Sequence, residues 1–129
     1  EWFELPLNVG LKYCNQDNKV DPMDVAGNSY TPGPMAFKDR DLIDTILTDS
    51  GFSAISIKDH KSTLVVGSTP TIAANNLISI GPLSRLILNY DDQIKALIHT
   101  ELEQQLMQHV TSEGVKLKSN IWIVTARKS

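Results

Sequence analysis

The sequence predicts an α+β fold in which an antiparallel strand pair, residues 53–59 with residues 120–126, packs with three to four helices. Three observations carry this. Ser53-Ala54-Ile55-Ser56-Ile57-Lys58 alternates, so that Ile55 and Ile57 share one face of a strand. Ile121-Trp122-Ile123-Val124 is a nearly continuous apolar run, the pattern of a strand buried on both faces. Between them stand two stretches with helix-start signals, Thr69-Pro70 and Asp91-Asp92. The whole chain of 129 residues, 41% hydrophobic, fits one domain. Within it, residues 1–36 read as a loop-rich cap and residues 37–129 as helix, strand, helices, strand.

The elements follow in order. Trp2-Phe3-Glu4-Leu5-Pro6-Leu7 leads into a helix starting near Pro6. Asn15-Gln16-Asp17-Asn18 opens a loop, and Asn28-Ser29-Tyr30-Thr31-Pro32-Gly33-Pro34 is dense in turn formers. Asp39 is a good N-cap for a helix carrying Leu42, Ile43, Ile46 and Leu47, and Gly51 supplies its left-handed stop. After the first strand, Thr63-Leu64-Val65-Val66 reads as a second, separate extended piece. The helix from Thr69-Pro70 presents Ile72, Ala73, Leu77, Ile78 and Ile80, and Gly81-Pro82 breaks it. Leu83, Leu86, Ile87 and Leu88 continue the apolar theme. The ladder Ile94, Leu97, Ile98, Leu102, Leu106 and Val110 is the clearest amphipathic stripe, ended by Glu113-Gly114.

Composition narrows the function. Twelve Lys+Arg stand against 15 Asp+Glu, a net charge of −3, so no basic field exists to attract phosphate backbones, and nucleic-acid binding is not expected. No apolar run reaches the roughly 18–20 residues of a membrane span. Glu1-Trp2-Phe3-Glu4 is not the start of a signal peptide. A single cysteine, Cys14, makes neither an internal disulfide nor a cysteine-based zinc cluster. A reducing, cytoplasmic setting is the expectation. The absence of an initiator Met suggests a processed product or an excised piece of something longer.

No catalytic residue and no metal site is expected. His60, His99 and His109 are the only imidazoles, and His99 and His109 project in different directions from a helix. Cys14 has no nearby histidine, and Asp91-Asp92 and Glu101 with Glu103 read as a cap and a solvated face. Neither phosphate-binding glycine pattern nor a G-x-S-x-G elbow occurs. The aromatic residues are more suggestive. Trp2, Phe3, Tyr13, Tyr30 and Phe37 crowd the first 37 residues, with Met23 and Met35 among them. Such side chains either plug the side of a core or line an apolar pocket. In the second case Trp2, Tyr13, Met23, Tyr30, Met35 and Phe37, facing Ile80 and Leu83, would form a substrate pocket.

Several motifs occur in a telling order. Ala36-Phe37-Lys38-Asp39, then Leu42-Ile43-Asp44-Thr45-Ile46-Leu47 and Ser50-Gly51-Phe52, is similar to a late helix and the "aGF" turn into a sixth strand. Ile80-Gly81-Pro82-Leu83-Ser84-Arg85 is similar to an "IGPLSR" segment. Gly114-Val115-Lys116-Leu117 with Ile121-Trp122-Ile123-Val124-Thr125-Ala126-Arg127 resembles a "dGV.L...vWlVTAR" ending. Trp2 to Leu7 looks like "NpW..lPL" after a fifth strand. Together these resemble the C-terminal half of class I S-adenosylmethionine-dependent methyltransferases, in a bacterial small-molecule branch.

That resemblance implies the substrate-side cap and the last two strands of a Rossmann-like sheet. It implies a parent that methylates a small molecule with S-adenosylmethionine. The family's Gly-rich loop and acidic ribose partner belong to a first half that these motifs do not match, so no cofactor-binding residue carries over and the chain alone is expected to be inactive. In the family the last strand lies between the sixth and the fifth. Without the fifth, an apolar edge is left open, and a homodimer through it is expected unless the N-terminal segment folds back over it. The alternative function is a non-enzymatic ligand-binding or protein-interaction module that shares the pattern.

Overall fold

In the computed structural model, which describes residues 1–14 and 33–129, helix α1 spans Glu4–Cys14. It starts two residues before Pro6, and its Leu7, Val9, Gly10 and Cys14 are buried. Residues 1–14 are thus built into the core rather than forming part of a loop-rich cap. The loop and most of the turn-rich stretch expected over 15–34 lie outside the described residues.

Helix α2 spans Arg40–Asp49. The Asp39 carboxylate accepts from the N–H groups of Asp41 and Leu42 at 2.9 and 3.4 Å, the N-cap the sequence promised. Gly51, at φ +83°, turns the chain into strand β1, Phe52–Gly67. Helix α3 covers Pro70–Ser79, with the Thr69 hydroxyl accepting from Ile72 N–H. Gly81, at φ +91°, separates it from the short α4, Pro82–Leu86. Helix α5 spans Asp92–Leu106, capped by Asp91, whose carboxylate accepts from Ile94 N–H at 2.9 Å. A 3-10 turn, Met107–His109, then leads to β2, Val110–Thr111, and β3, Gly114–Lys128.

The three strands are antiparallel in the order β1-β3-β2. The mixed helix-and-sheet architecture is the expected α+β class, and residues 53–59 do pair antiparallel with the 120–126 region, as in Ile57 with Val124 and Asp59 with Trp122. Helices α3 and α5 pack on each other, α3 also on β1, and α1 on α4 and α5. Their shared core holds Val9, Leu83, Ile98, Leu102, Leu106, Val115 and Leu117, all shielded from solvent. At the β1–α3 junction a Cβ on Gly67 would lie 2.4 Å from the backbone nitrogen of Ala73, so only glycine permits that approach.

Four expectations are corrected. The two extended pieces at 53–59 and 63–66 are one sixteen-residue strand, because β3 supplies partners along its length. The helical stripe ends at Leu106, not at Glu113: Val110 pairs with Val115 in the sheet. Leu97, read as part of the buried stripe, is 51% exposed. Finally, 121–124 is not buried on both faces. Ile121 and Ile123 are 52% and 46% exposed, and Val124 also reaches solvent.

The register explains that exposure. Residues paired across an antiparallel ladder share a face. One face carries Ile57/Val124, Asp59/Trp122 and Lys61/Asn120. Helix α2 packs on β1 here. The other carries Lys58/Ile123, His60/Ile121 and Leu64/Leu117, and only its Leu117 end runs into the core.

Candidate functional site

Among the described residues, a mostly apolar concavity lies where α2 and the segment before it meet the α2-side face of β1 and β3. It is a cleft of about 630 Å³, within the size range of small-molecule sites. The amphipathic pattern of α2 sends Ile43, Ile46 and Leu47 toward the sheet to form one wall. Strand alternation sends Trp122 and Val124 up from β3 as the floor, and Met35 and Phe37 close a side.

Two polar features fix this site. Trp122 Nε1–H donates to the Lys38 carbonyl at 3.1 Å, which holds the indole plane and ties the start of α2 to β3. Asp59, directly opposite Trp122 in the register, brings a carboxylate to the rim, with Lys61 Nζ 3.9 Å away. Asn120 lies diagonally across on the same face. The arrangement can hold a flat apolar body and offer it hydrogen bonds at one edge.

The residues expected to form a pocket are distributed differently. Met35 and Phe37 meet in the cleft. Trp2 packs against the core, edge-to-face with Phe3 at 5.8 Å between ring centroids. Tyr13 faces α5, where its hydroxyl donates to Glu101 at 2.6 Å. Leu83 is fully buried beneath α1, close to Gly10. Ile80 is 71% exposed just beyond α3. The structure brings none of these last four to the cleft, and Met23 and Tyr30 lie outside the described residues. The cleft's sequence signal was the face shared by Ile57, Asp59, Trp122 and Val124, which the apolar run at 121–124 obscured.

The remaining chemistry-bearing groups serve as ties between helices. Glu101 accepts from Lys12, Tyr13 and Gln105, linking α1 to α5. These partners, Lys12 first, hold its carboxyl below the usual range, and the bond to Glu101 raises the Tyr13 phenol. His99 Nε2 lies 2.9 Å from Asn75 Oδ1, and Glu103 accepts from Thr71 at 2.5 Å, joining α3 to α5. His60 is on β1 and His109 in the 3-10 turn, so the three imidazoles do not converge. Cys14 is buried, and burial pushes its thiol up, away from the thiolate a nucleophile needs. Among the described residues no group of three or more His, Cys, Asp or Glu could hold a metal, and no helix is long and apolar enough to cross a membrane.

A second feature is the outer edge of β3. On the side away from β1, Val115 and Gly114 pair with β2. Trp2 N–H then donates to the Lys118 carbonyl at 3.3 Å, and Lys118 N–H donates to the Glu1 carboxylate at 2.9 Å. From residue 119 to residue 128 that side has no backbone partner among the described residues. The N-terminal segment therefore folds back over the edge at Lys118 alone. Comparison of the chain with protein-family models, with curated proteins and with solved structures finds no match.

Proposed function

We propose that this chain is the substrate-side, C-terminal part of an S-adenosylmethionine-dependent methyltransferase that acts on a small molecule. The observation that supports it best is the β3 edge. The resemblance places a fifth strand beside the last strand, immediately before the Trp2–Leu7 motif. Here Trp2 already donates to Lys118. A strand leading into Glu1 would continue that ladder antiparallel to β3, along residues 119–127, where the edge is open. It would also cover Ile121 and Ile123.

The residues present do not fit the cofactor itself. Of the strand-to-helix turns described, the one after β1 is filled: Ala73 backbone abuts Gly67, and Thr69 takes the free N–H of Ile72. No room for a ribose remains at that turn. On this reading cofactor contacts belong to an upstream half, and no step of methyl transfer is assigned to this chain. Its own part is to bind and orient the acceptor's apolar body in the cleft over Trp122, with Asp59 and Asn120 at the polar edge. Orientation of that kind is a principal source of rate in a displacement that needs no acid or base. A cytoplasmic setting belongs to the same reading.

The test is methyl transfer by the product of the reading frame extended upstream of Glu1. Labelled methyl from S-adenosylmethionine should appear in the small-molecule fraction, and Trp122→Ala should raise KM more than it lowers kcat. An upstream sequence without a strand–turn–helix bearing G-x-G, or no transfer, would contradict the reading. The alternative, an interaction module without enzymatic activity, draws support from the open edge and exposed Ile121 and Ile123.

A further inference from the structure

We infer that the molecule bound in the α2 cleft is an aromatic amine, held as its ammonium with the cation on Asp59 and the rings over Trp122. This rests on the reading of the cleft as the acceptor site and adds the chemical class of the acceptor. Three observations carry it.

The first is an unspent carboxylate. An ionised carboxylate accepts up to about four hydrogen bonds. Asp59 accepts none from the described residues. Its one ionic neighbour, Lys61 Nζ, stands 3.9 Å away, beyond hydrogen-bond distance, on a side chain that is 79% exposed. A pair that loose and that wet contributes little, so a ligand ammonium displaces Lys61 at small cost. Among the described residues, Asp59 is also the only carboxylate on the cleft wall.

The second is where that carboxylate stands. The N–H and C=O of Lys118 both point away from β1, since they bond Glu1 and Trp2. Direction alternates along a strand, and no register shift falls between residues 118 and 124. Trp122 and Asp59 are therefore a non-hydrogen-bonded pair, the kind whose side chains stand closer, with Cβ atoms about 4.5–5.5 Å apart. The bond from Trp122 Nε1–H to the Lys38 carbonyl fixes the indole. A cation on Asp59 thus stands beside an indole held in place, and cation–π attraction acts out to about 6 Å from a ring centroid. Carboxylate and indole together favour an ammonium over a neutral donor.

The third is what surrounds the pair. Met35, Phe37, Ile43 and Val124 supply apolar walls for fused rings. Residues 37–49, which form one wall and its approach, carry four Asp against Lys38 and Arg40, so the charge on that side is net negative. Lys38 also lines the cleft, and its ammonium is the group an acidic ligand would use instead. Its four-carbon stem is flexible, whereas Asp59 is short and set on a paired strand, so the fixed charge at the rim is the negative one. An ammonium has no lone pair. The amine is therefore the anchor, and the methyl-accepting atom is another group of the same molecule.

Nuclear magnetic resonance of the two indole N–H groups reads the binding directly, with Trp2, packed against the core, as internal reference. The probes are naphthylethylamine, naphthylethanol and naphthylpropionate at neutral pH, alike in their rings and different in charge. Each should shift the Trp122 signal. The amine should bind roughly three- to tenfold more tightly than the alcohol, as expected of a part-exposed ion pair with a cation–π contact, and the acid should bind most weakly. Asp59→Asn, the uncharged isostere, should erase the preference for the amine. Equal affinities for amine and alcohol, tightest binding by the acid, or a preference that survives Asp59→Asn would overturn the inference while leaving the cleft a binding site. No shift of Trp122 with any probe would refute the cleft as the acceptor site, and the amine assignment with it.

Discussion

Truncating Leu102 to Ala probes the core that holds the sheet against the helices. Leu102 has no exposed surface and sits in one buried cluster with Ala73, Ala74, Val115 and Leu117. Removing three methyl or methylene groups forfeits about 2.4 kcal/mol at about 0.8 kcal/mol each. Surrounding side chains relax only partly around a deleted group, so a cavity term adds to this. The expected loss is about 3–4 kcal/mol, within the range for buried leucines. Leu97, on the same helix but 51% exposed, is the internal control: Leu97→Ala should cost under about 1 kcal/mol. With a urea slope of about 1.5 kcal/mol per molar, the two midpoints should differ by roughly 2 M. Equal midpoints for the two variants, or a loss below about 0.5 kcal/mol for Leu102→Ala, would show that α5 does not pack as described.

Gly67→Ala should destabilise by about 2–3 kcal/mol, because its Cβ would press on the Ala73 backbone, which cannot swing aside as a side chain does. A neutral result in denaturant melts would refute that close approach. The Glu101 carboxyl is held below its ordinary range chiefly by Lys12, with Tyr13 second. A depressed carboxyl contributes stability above its unfolded pKa and loses it as pH falls through the folded value. Glu101→Gln should therefore be less stable than the wild type at neutral pH, with the gap in melting temperature narrowing on acidification. A gap independent of pH would show that the ion pair is not the source.

Helix boundaries were legible where a cap or breaker has one local meaning. Asp39, Thr69-Pro70, Asp91 and Gly81-Pro82 act as read, because their effect depends only on neighbouring backbone groups. Features set by distant partners were not. Asp59-His60-Lys61-Ser62-Thr63 has no apolar alternation, yet it is extended, because Trp122 back to Lys118 pairs with it. The apolar spacing of α5 continues to Val110, but Gly114, at φ +113°, lets β3 turn back and capture Val110 in the sheet. In the cleft, Met35 and Phe37 were foreseen while Trp122, Asp59 and the α2 wall were not. An apolar run does not by itself say which face is covered, and here α2 packs on β1 while Ile121 and Ile123 stay half open. Crowding of aromatics along the sequence was a poor guide to crowding in space, since α1 carries Tyr13 to α5 while Trp2 turns to the core.

The proposed function divides the labour between acceptor binding in this chain and cofactor binding in a strand-led half before Glu1. Calorimetric titration with S-adenosylmethionine tests that division most directly. The 129-residue chain alone should release no binding heat, while the product of the upstream-extended frame should saturate with a micromolar dissociation constant. Binding by the short chain, or none by the extended one, would contradict it.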